Sequence, residues 1–166
     1  MYKNKFLLMI IFLLMQIAPV LAEDNSFLNR EAIGDFSLGQ SEKELKNNIH
    51  CTIKRGPDTW WGADGVYHQT WDCYDAGISF SMVSNQKGGL KTIESITIST
   101  PSKLKTKRGI QIGDSEQAVV QAYQNEKDAE ASTPTEVFVA GSVYGGLIFQ
   151  FKEGKVESIF LGASAE

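Results

Sequence analysis

The sequence contains one ten-residue phrase twice, at 36–45 and at 110–119, with apolar residues, a glycine, a serine and a glutamate at matching positions. Two further pairs of similar segments follow in the same order: 78–82 with 147–151, and 93–96 with 156–159. Three matched segments in one order indicate a duplicated unit. The chain is therefore expected to consist of two related structural units.

Each copy of the phrase predicts a helix that begins shortly after its glycine. Ser41 followed by Glu44 is a capping-box pattern, and Asp114 followed by Gln117 is a similar arrangement. Apolar residues then recur at helical spacing, at Leu45, Ile49, Val119, Ala122 and Tyr123. Both helices are expected to be short and to bury one face.

Strand periodicity follows each helix. Apolar and other residues alternate at 78–82 and at 147–151, a third strand per unit fits at about 70–74 and 136–140, and Gly154 suits a tight hairpin. The predicted fold class is therefore α+β, with two tandem units that are each a short helix followed by an antiparallel meander of about three strands.

Residues 1–22 have the order of a secretory signal peptide. Lys3 and Lys5 precede an apolar run from Phe6 to Met15, and small residues end at Ala22. The apolar run is shorter than the roughly 20 residues that span a bilayer. We therefore expect cleavage after Ala22 and a periplasmic or secreted product without a stable membrane anchor.

The rest of the chain is predicted to have three parts, which are a first repeat at 23–100, a linker at 101–108 and a second repeat at 109–166. Without the signal peptide, the 16 basic residues become 14 against 20 acidic ones, so the net charge falls from −4 to −6. Nucleic-acid phosphates require clustered lysine and arginine. We therefore expect no nucleic-acid partner.

The two cysteines, Cys51 and Cys73, lie within the first repeat. An even number of cysteines in an exported chain favours a disulfide. A metal-bound or catalytic pair is less favoured because the two are far apart and no second pair accompanies them. We predict a Cys51–Cys73 disulfide.

Most of the candidate binding residues lie between these two cysteines. They are aromatic residues and a histidine: Trp60, Trp61, Tyr67, His68, Trp71 and Tyr74. Turn-forming glycine, proline and aspartate flank Trp60 and Trp61, so these two are expected on a loop. Such residues dominate binding hot spots and suit a protein partner or a glycan, whereas the alternative is that they cover a small core.

The sequence offers little for catalysis. Its two histidines are His50 and His68, and no GxSxG nucleophile motif is present. His68 with nearby Asp72 and Asp75 has no regular metal-ligand spacing. We therefore expect no enzyme activity, no cofactor and no metal.

The repeated phrase followed by a meander resembles the tandem repeat of the β-lactamase inhibitory protein family and the single unit of the BamE/SmpA-like outer-membrane assembly lipoproteins. The resemblance covers Phe36 to Ile49, Ile110 to Tyr123 and, loosely, the strands after each. It implies an exported, non-enzymatic domain whose sheet docks other proteins. No cysteine for lipid attachment stands at the expected cleavage site.

These observations together predict an exported protein-binding module, with an inhibitor or immunity-like binder of an envelope-acting protein as the preferred function. An envelope-maintenance or outer-membrane assembly factor is the alternative. A hydrolase that uses His68 and nearby acids is the third, less favoured hypothesis.

Overall fold

The computed structural model describes residues 26–164. Its α-helices are α1 (Ser26–Arg30), α2 (Glu42–Asn48) and α3 (Glu116–Tyr123). Its strands are β1 (Lys54–Arg55), β2 (Thr59–Trp61), β3 (Val66–Cys73), β4 (Ile78–Ser84), β5 (Thr92–Ser99), β6 (Val137–Ser142), β7 (Gly145–Lys152) and β8 (Lys155–Gly162). The predicted signal peptide lies outside the described residues. Within 26–164, no helix is both long enough and apolar enough to cross a membrane.

The predicted fold class of two tandem helix-plus-meander units is wrong, because all eight strands form one antiparallel sheet. The strand order is β1-β3-β4-β5-β8-β7-β6, and β2 pairs with β3 beside β1. The strands of the two repeats meet where β5 pairs with β8, from Ile96 opposite Leu161 to Ser99 opposite Ser158. Backbone N–H and C=O groups that would be free on two separate sheets are thereby hydrogen-bonded to each other.

The core lies on one face of this sheet. Alternate residues of β4 are buried, and its other residues are only half-buried. Leu45 of α2 and Val119 and Tyr123 of α3 pack into the same buried cluster as Phe80 of β4 and Phe149 of β7. The helices therefore cover one face of the sheet, and the half-buried side chains define the opposite face, which we call the open face.

The two copies of the repeated phrase make equivalent hydrogen bonds to the last strand of their repeat. The Gly39 N–H donates to the carbonyl of Ile93 at 2.7 Å, and the Gly113 N–H donates to that of Val156 at 2.8 Å. The next residue accepts in both cases, from the N–H of Ile93 or of Val156. The phrase therefore recurs because it both caps a helix and holds that helix against a strand.

Replacing Ser41 with alanine is expected to lower the free energy of unfolding by about 1 kcal/mol. Ser41 is the N-cap of α2, where its hydroxyl accepts a hydrogen bond from the Glu44 N–H and the Glu44 carboxylate accepts one from the Ser41 N–H. Urea denaturation measures the difference. An unchanged midpoint would show that this capping box does not stabilise the protein.

The segment 101–108, which the sequence predicts to be a linker, runs alongside the start of the described chain. Thr106 is buried and forms an antiparallel bridge with Ile33. At the end of the segment, the Arg108 guanidinium donates two hydrogen bonds of 2.7 Å to the Glu126 carboxylate and lies over the Tyr123 ring. These contacts attach the segment to α3 and to the residues that follow it.

Candidate functional site

The disulfide predicted between Cys51 and Cys73 is confirmed. Cys73 is the last residue of β3 and is fully buried, and the two Cα atoms lie 6.0 Å apart. The bond joins the end of β3 to the segment that follows α2. Disulfides persist in oxidising surroundings, so this bond fits an oxidising compartment outside the cytosol.

The adjacent tryptophans, Trp60 and Trp61, lie in strand β2 rather than in the predicted loop. Because neighbouring residues of a strand point to opposite faces, their rings lie on different sides of the sheet. Trp60 packs on Tyr67 with ring centroids 5.2 Å apart, and Trp61 stacks on His68 at 3.9 Å with 16° between the ring planes. The side chains are 51% and 43% exposed, respectively.

Carboxylates flank both nitrogens of the His68 ring, which is only 6% exposed. Nε2 lies 2.6 Å from Oδ2 of Asp64, and Nδ1 lies 3.2 Å from Oε2 of Glu94 without forming a hydrogen bond. The same Glu94 oxygen accepts a hydrogen bond from the Ser81 hydroxyl at 2.8 Å. Strands β3 and β5 and the turn between β2 and β3 thus place His68, Glu94 and Asp64 together on the open face, beside Trp61.

Desolvation raises the pKa of Asp64, but hydrogen bonds from the His68 ring and the Val66 N–H, together with attraction to His68, lower it by more in total. The pKa of this carboxyl group is therefore below its usual value. Asp64 thus remains a carboxylate at neutral pH and holds the His68 ring beneath Trp61.

The remaining predicted site residues lie apart from this cluster. Trp71 is 1% exposed and belongs to the core, where the Arg55 guanidinium lies 4.1 Å from the centre of its ring. Tyr74 is exposed beyond the end of β3, and its hydroxyl donates to Asp72 at 3.1 Å, which raises the pKa of Tyr74. The structure thus brings Trp61 and His68 together and separates both from Trp71 and Tyr74.

Sequence analysis missed two residues of the open face, Glu94 and Phe160. Glu94 lies in one of the matched segments, but nothing in the repeated pattern identifies it as a site residue. Only strand pairing across β4, β5 and β8 brings Glu94 next to His68 and Phe160 into one cleft with Trp61. The register of those strand pairs is not evident from the sequence.

The geometry gives His68 no nucleophile to activate, because both ring nitrogens face carboxylates. A metal ion would use His68, Asp64 and Glu94, whose ligand atoms lie within 4.8 Å of one another. However, Asp64 and Nε2 of His68 already share a hydrogen bond of 2.6 Å, which an ion bound between them would displace. Cys51 and Cys73, which lie near Asp75, are joined by the disulfide and offer no thiolate.

Comparisons with protein-family models, with curated protein sequences and with solved structures give no match to this chain. The resemblance to the β-lactamase inhibitory and outer-membrane assembly families therefore stays a hypothesis based on the repeated phrase.

Proposed function

We propose that this chain is an exported, non-catalytic module that binds a protein partner through the open face of its sheet, as inhibitors and immunity proteins do. The observation that carries the proposal is the exposed Trp61 ring held flat on the buried His68 ring. A large aromatic side chain fixed in one position loses little entropy on binding, and tryptophan is the residue most enriched in interface hot spots.

The composition of the open face also favours a protein partner. Small hydroxyl side chains, such as Ser79 and Ser81 of β4 and Thr97 of β5, lie near the centre of this face, and Trp61 and Phe160 are the large side chains beside them. Protein interfaces combine large aromatic side chains with polar groups that form hydrogen bonds to the partner or to bridging water, and this face offers both.

Export is part of the proposal. The disulfide supports it, because such bonds are rare in the reducing cytosol. The signal-peptide pattern at residues 1–22 supports it independently. Cleavage after Ala22 would be checked by mass spectrometry of the protein recovered from the periplasm or the medium.

Replacing Trp61 with alanine is expected to weaken partner binding at least tenfold while lowering the free energy of unfolding by only about 1 kcal/mol. The ring is a candidate anchor for the partner, and within the chain it is largely exposed and stacks on His68. Partners would be identified by cross-linking the exported protein in place, and their affinities for the purified wild type and variant would be measured by calorimetry.

Leu90→Ala is the matched control. Leu90 is 87% exposed but lies beside the cleft formed by Arg55, Trp71 and Lys91, away from the open face. We expect this variant to bind the partner like the wild type. Equal binding by wild type and Trp61→Ala would contradict the proposed surface, and competition by a soluble glycan would favour a glycan ligand instead.

A further inference from the structure

A half-open cleft of about 610 Å³ lies on the open face next to Trp61. Trp61 and Phe160 supply its aromatic walls, and Glu94 is its acidic group. The small residues Ser81, Ser95, Ala163 and Ser164 complete the lining. The cleft thus combines two aromatic rings with one carboxylate.

One face of the Trp61 ring is already used, because it stacks on His68. The Trp61 ring is nevertheless 43% exposed and lines the cleft, so part of its surface is left for a ligand. The face of an indole ring carries partial negative charge and attracts cations, and arginine stacks on it more often than lysine does.

Glu94 has unused capacity to accept hydrogen bonds. Its side chain is 39% exposed, and the Ser81 hydroxyl donates to one of its oxygens, Oε2. The neighbouring His68 Nδ1 is buried without a hydrogen bond and lies 3.2 Å from that oxygen. Glu94 is the charged residue of the cleft lining, so the lining favours a positively charged group.

We propose that this cleft binds an arginine side chain presented by the protein partner. The guanidinium would lie against the exposed part of the Trp61 ring next to Glu94 and donate hydrogen bonds to the Glu94 carboxylate, which its planar fork of N–H groups matches. This assignment rests on the proposed function, since it identifies which chemical group of the partner the open face recognises.

N-acetyl-arginine amide is the probe for this cleft, and the indole N–H signals of the three tryptophans, recorded by NMR, provide the readout. Trp61→Phe assigns the Trp61 signal. We expect the arginine probe to shift that signal saturably with a dissociation constant on the order of 1 mM. The neutral isostere N-acetyl-citrulline amide should cause no saturable shift, and N-acetyl-lysine amide should bind more weakly than arginine.

Glu94→Gln should weaken binding of the arginine probe about tenfold, while Glu157→Gln is the matched control. Glu157 is an exposed acid of β8 that lies outside the cleft lining and pairs with Lys152. Its neutralisation removes the same charge but should change the affinity less than twofold. Ala163→Lys places a cation in the cleft at an exposed position. It should abolish binding of the arginine probe although the contacts of Glu94 within the chain are unchanged.

Equal binding of arginine and citrulline, lysine binding as tight as arginine, or unaltered binding by Glu94→Gln or Ala163→Lys would overturn the proposal. The outcomes that contradict the proposed function are different ones. If a protein partner binds through Trp61 but these variants have no effect, only the arginine assignment is wrong. If the arginine probe binds as expected but no protein partner depends on Trp61, the cleft assignment stands and the proposed function is wrong.

Discussion

Replacing Gly77 with alanine is expected to lower the free energy of unfolding by about 3 kcal/mol. Gly77 is buried and adopts a left-handed conformation, with a φ of +63°, between the 3₁₀ helix Tyr74–Ala76 and β4. An added Cβ would come closer than van der Waals contact to the Ser99 carbonyl and to the Pro101 nitrogen. The left-handed backbone costs roughly 1–2 kcal/mol for a residue with a Cβ, and displacing the packed backbone costs a further 1–3 kcal/mol.

Gly154→Ala separates these two contributions. Gly154 is also left-handed, with a φ of +73°, but an added Cβ would meet no atom within 4 Å. We expect this variant to lose about 1 kcal/mol, from the backbone conformation alone. Thermal and urea denaturation of both variants would measure the difference, and equal losses would show that the close contact at Gly77 relaxes without cost.

Reducing the Cys51–Cys73 disulfide is expected to destabilise the protein by about 3 kcal/mol. The two cysteines are 22 residues apart in sequence, and opening a loop of this size restores chain entropy to the unfolded state. Urea denaturation with and without reductant, combined with a count of free thiols, would measure the loss.

A double variant with alanine at both cysteine positions is the control for the reductant. Its stability should not change when reductant is added, because it has no bond to break. If the reduced wild type unfolds at the same urea concentration as the oxidised protein once both thiols are free, the bond does not contribute to stability.

The local features of the fold could be predicted from the sequence. Ser41 is the N-cap of α2, as the capping-box pattern predicts, because capping depends on residues three positions apart, which a sequence displays directly. For α3 the pair Asp114 and Gln117 predicts a cap one residue too early, since the N-cap is Ser115. The alternation at 78–82 and 147–151 likewise predicted strands that the structure contains, as parts of β4 and β7. In both cases the residues that determine the structure are close together in the sequence.

The arrangement of the strands could not be predicted in the same way. The pairing of β5 with β8 joins residues about 60 positions apart, and nothing in the periodicity of either strand indicates that partner. Turn-forming residues flank Trp60 and Trp61 and predict a loop there. A three-residue strand between turns gains its conformation from its pairing with β3 rather than from its own sequence.

The same limits apply to the candidate site. Trp61, His68 and Asp64 lie close together in sequence, so sequence analysis could associate them as one region. Glu94 and Phe160 join them only through strand pairing across β4, β5 and β8. The cleft is therefore formed by tertiary contacts that the sequence does not indicate.

The pairing of β5 with β8 also has a consequence for solubility. An uncovered strand of eight residues presents a row of free backbone donors and acceptors to which any other extended chain can add, and this is a common beginning of aggregation. Each repeat would present such a strand if the two were separated. In the intact chain these two strands pair with each other, so neither is free to pair with another molecule. The duplication thus prevents the self-association that either repeat alone would allow.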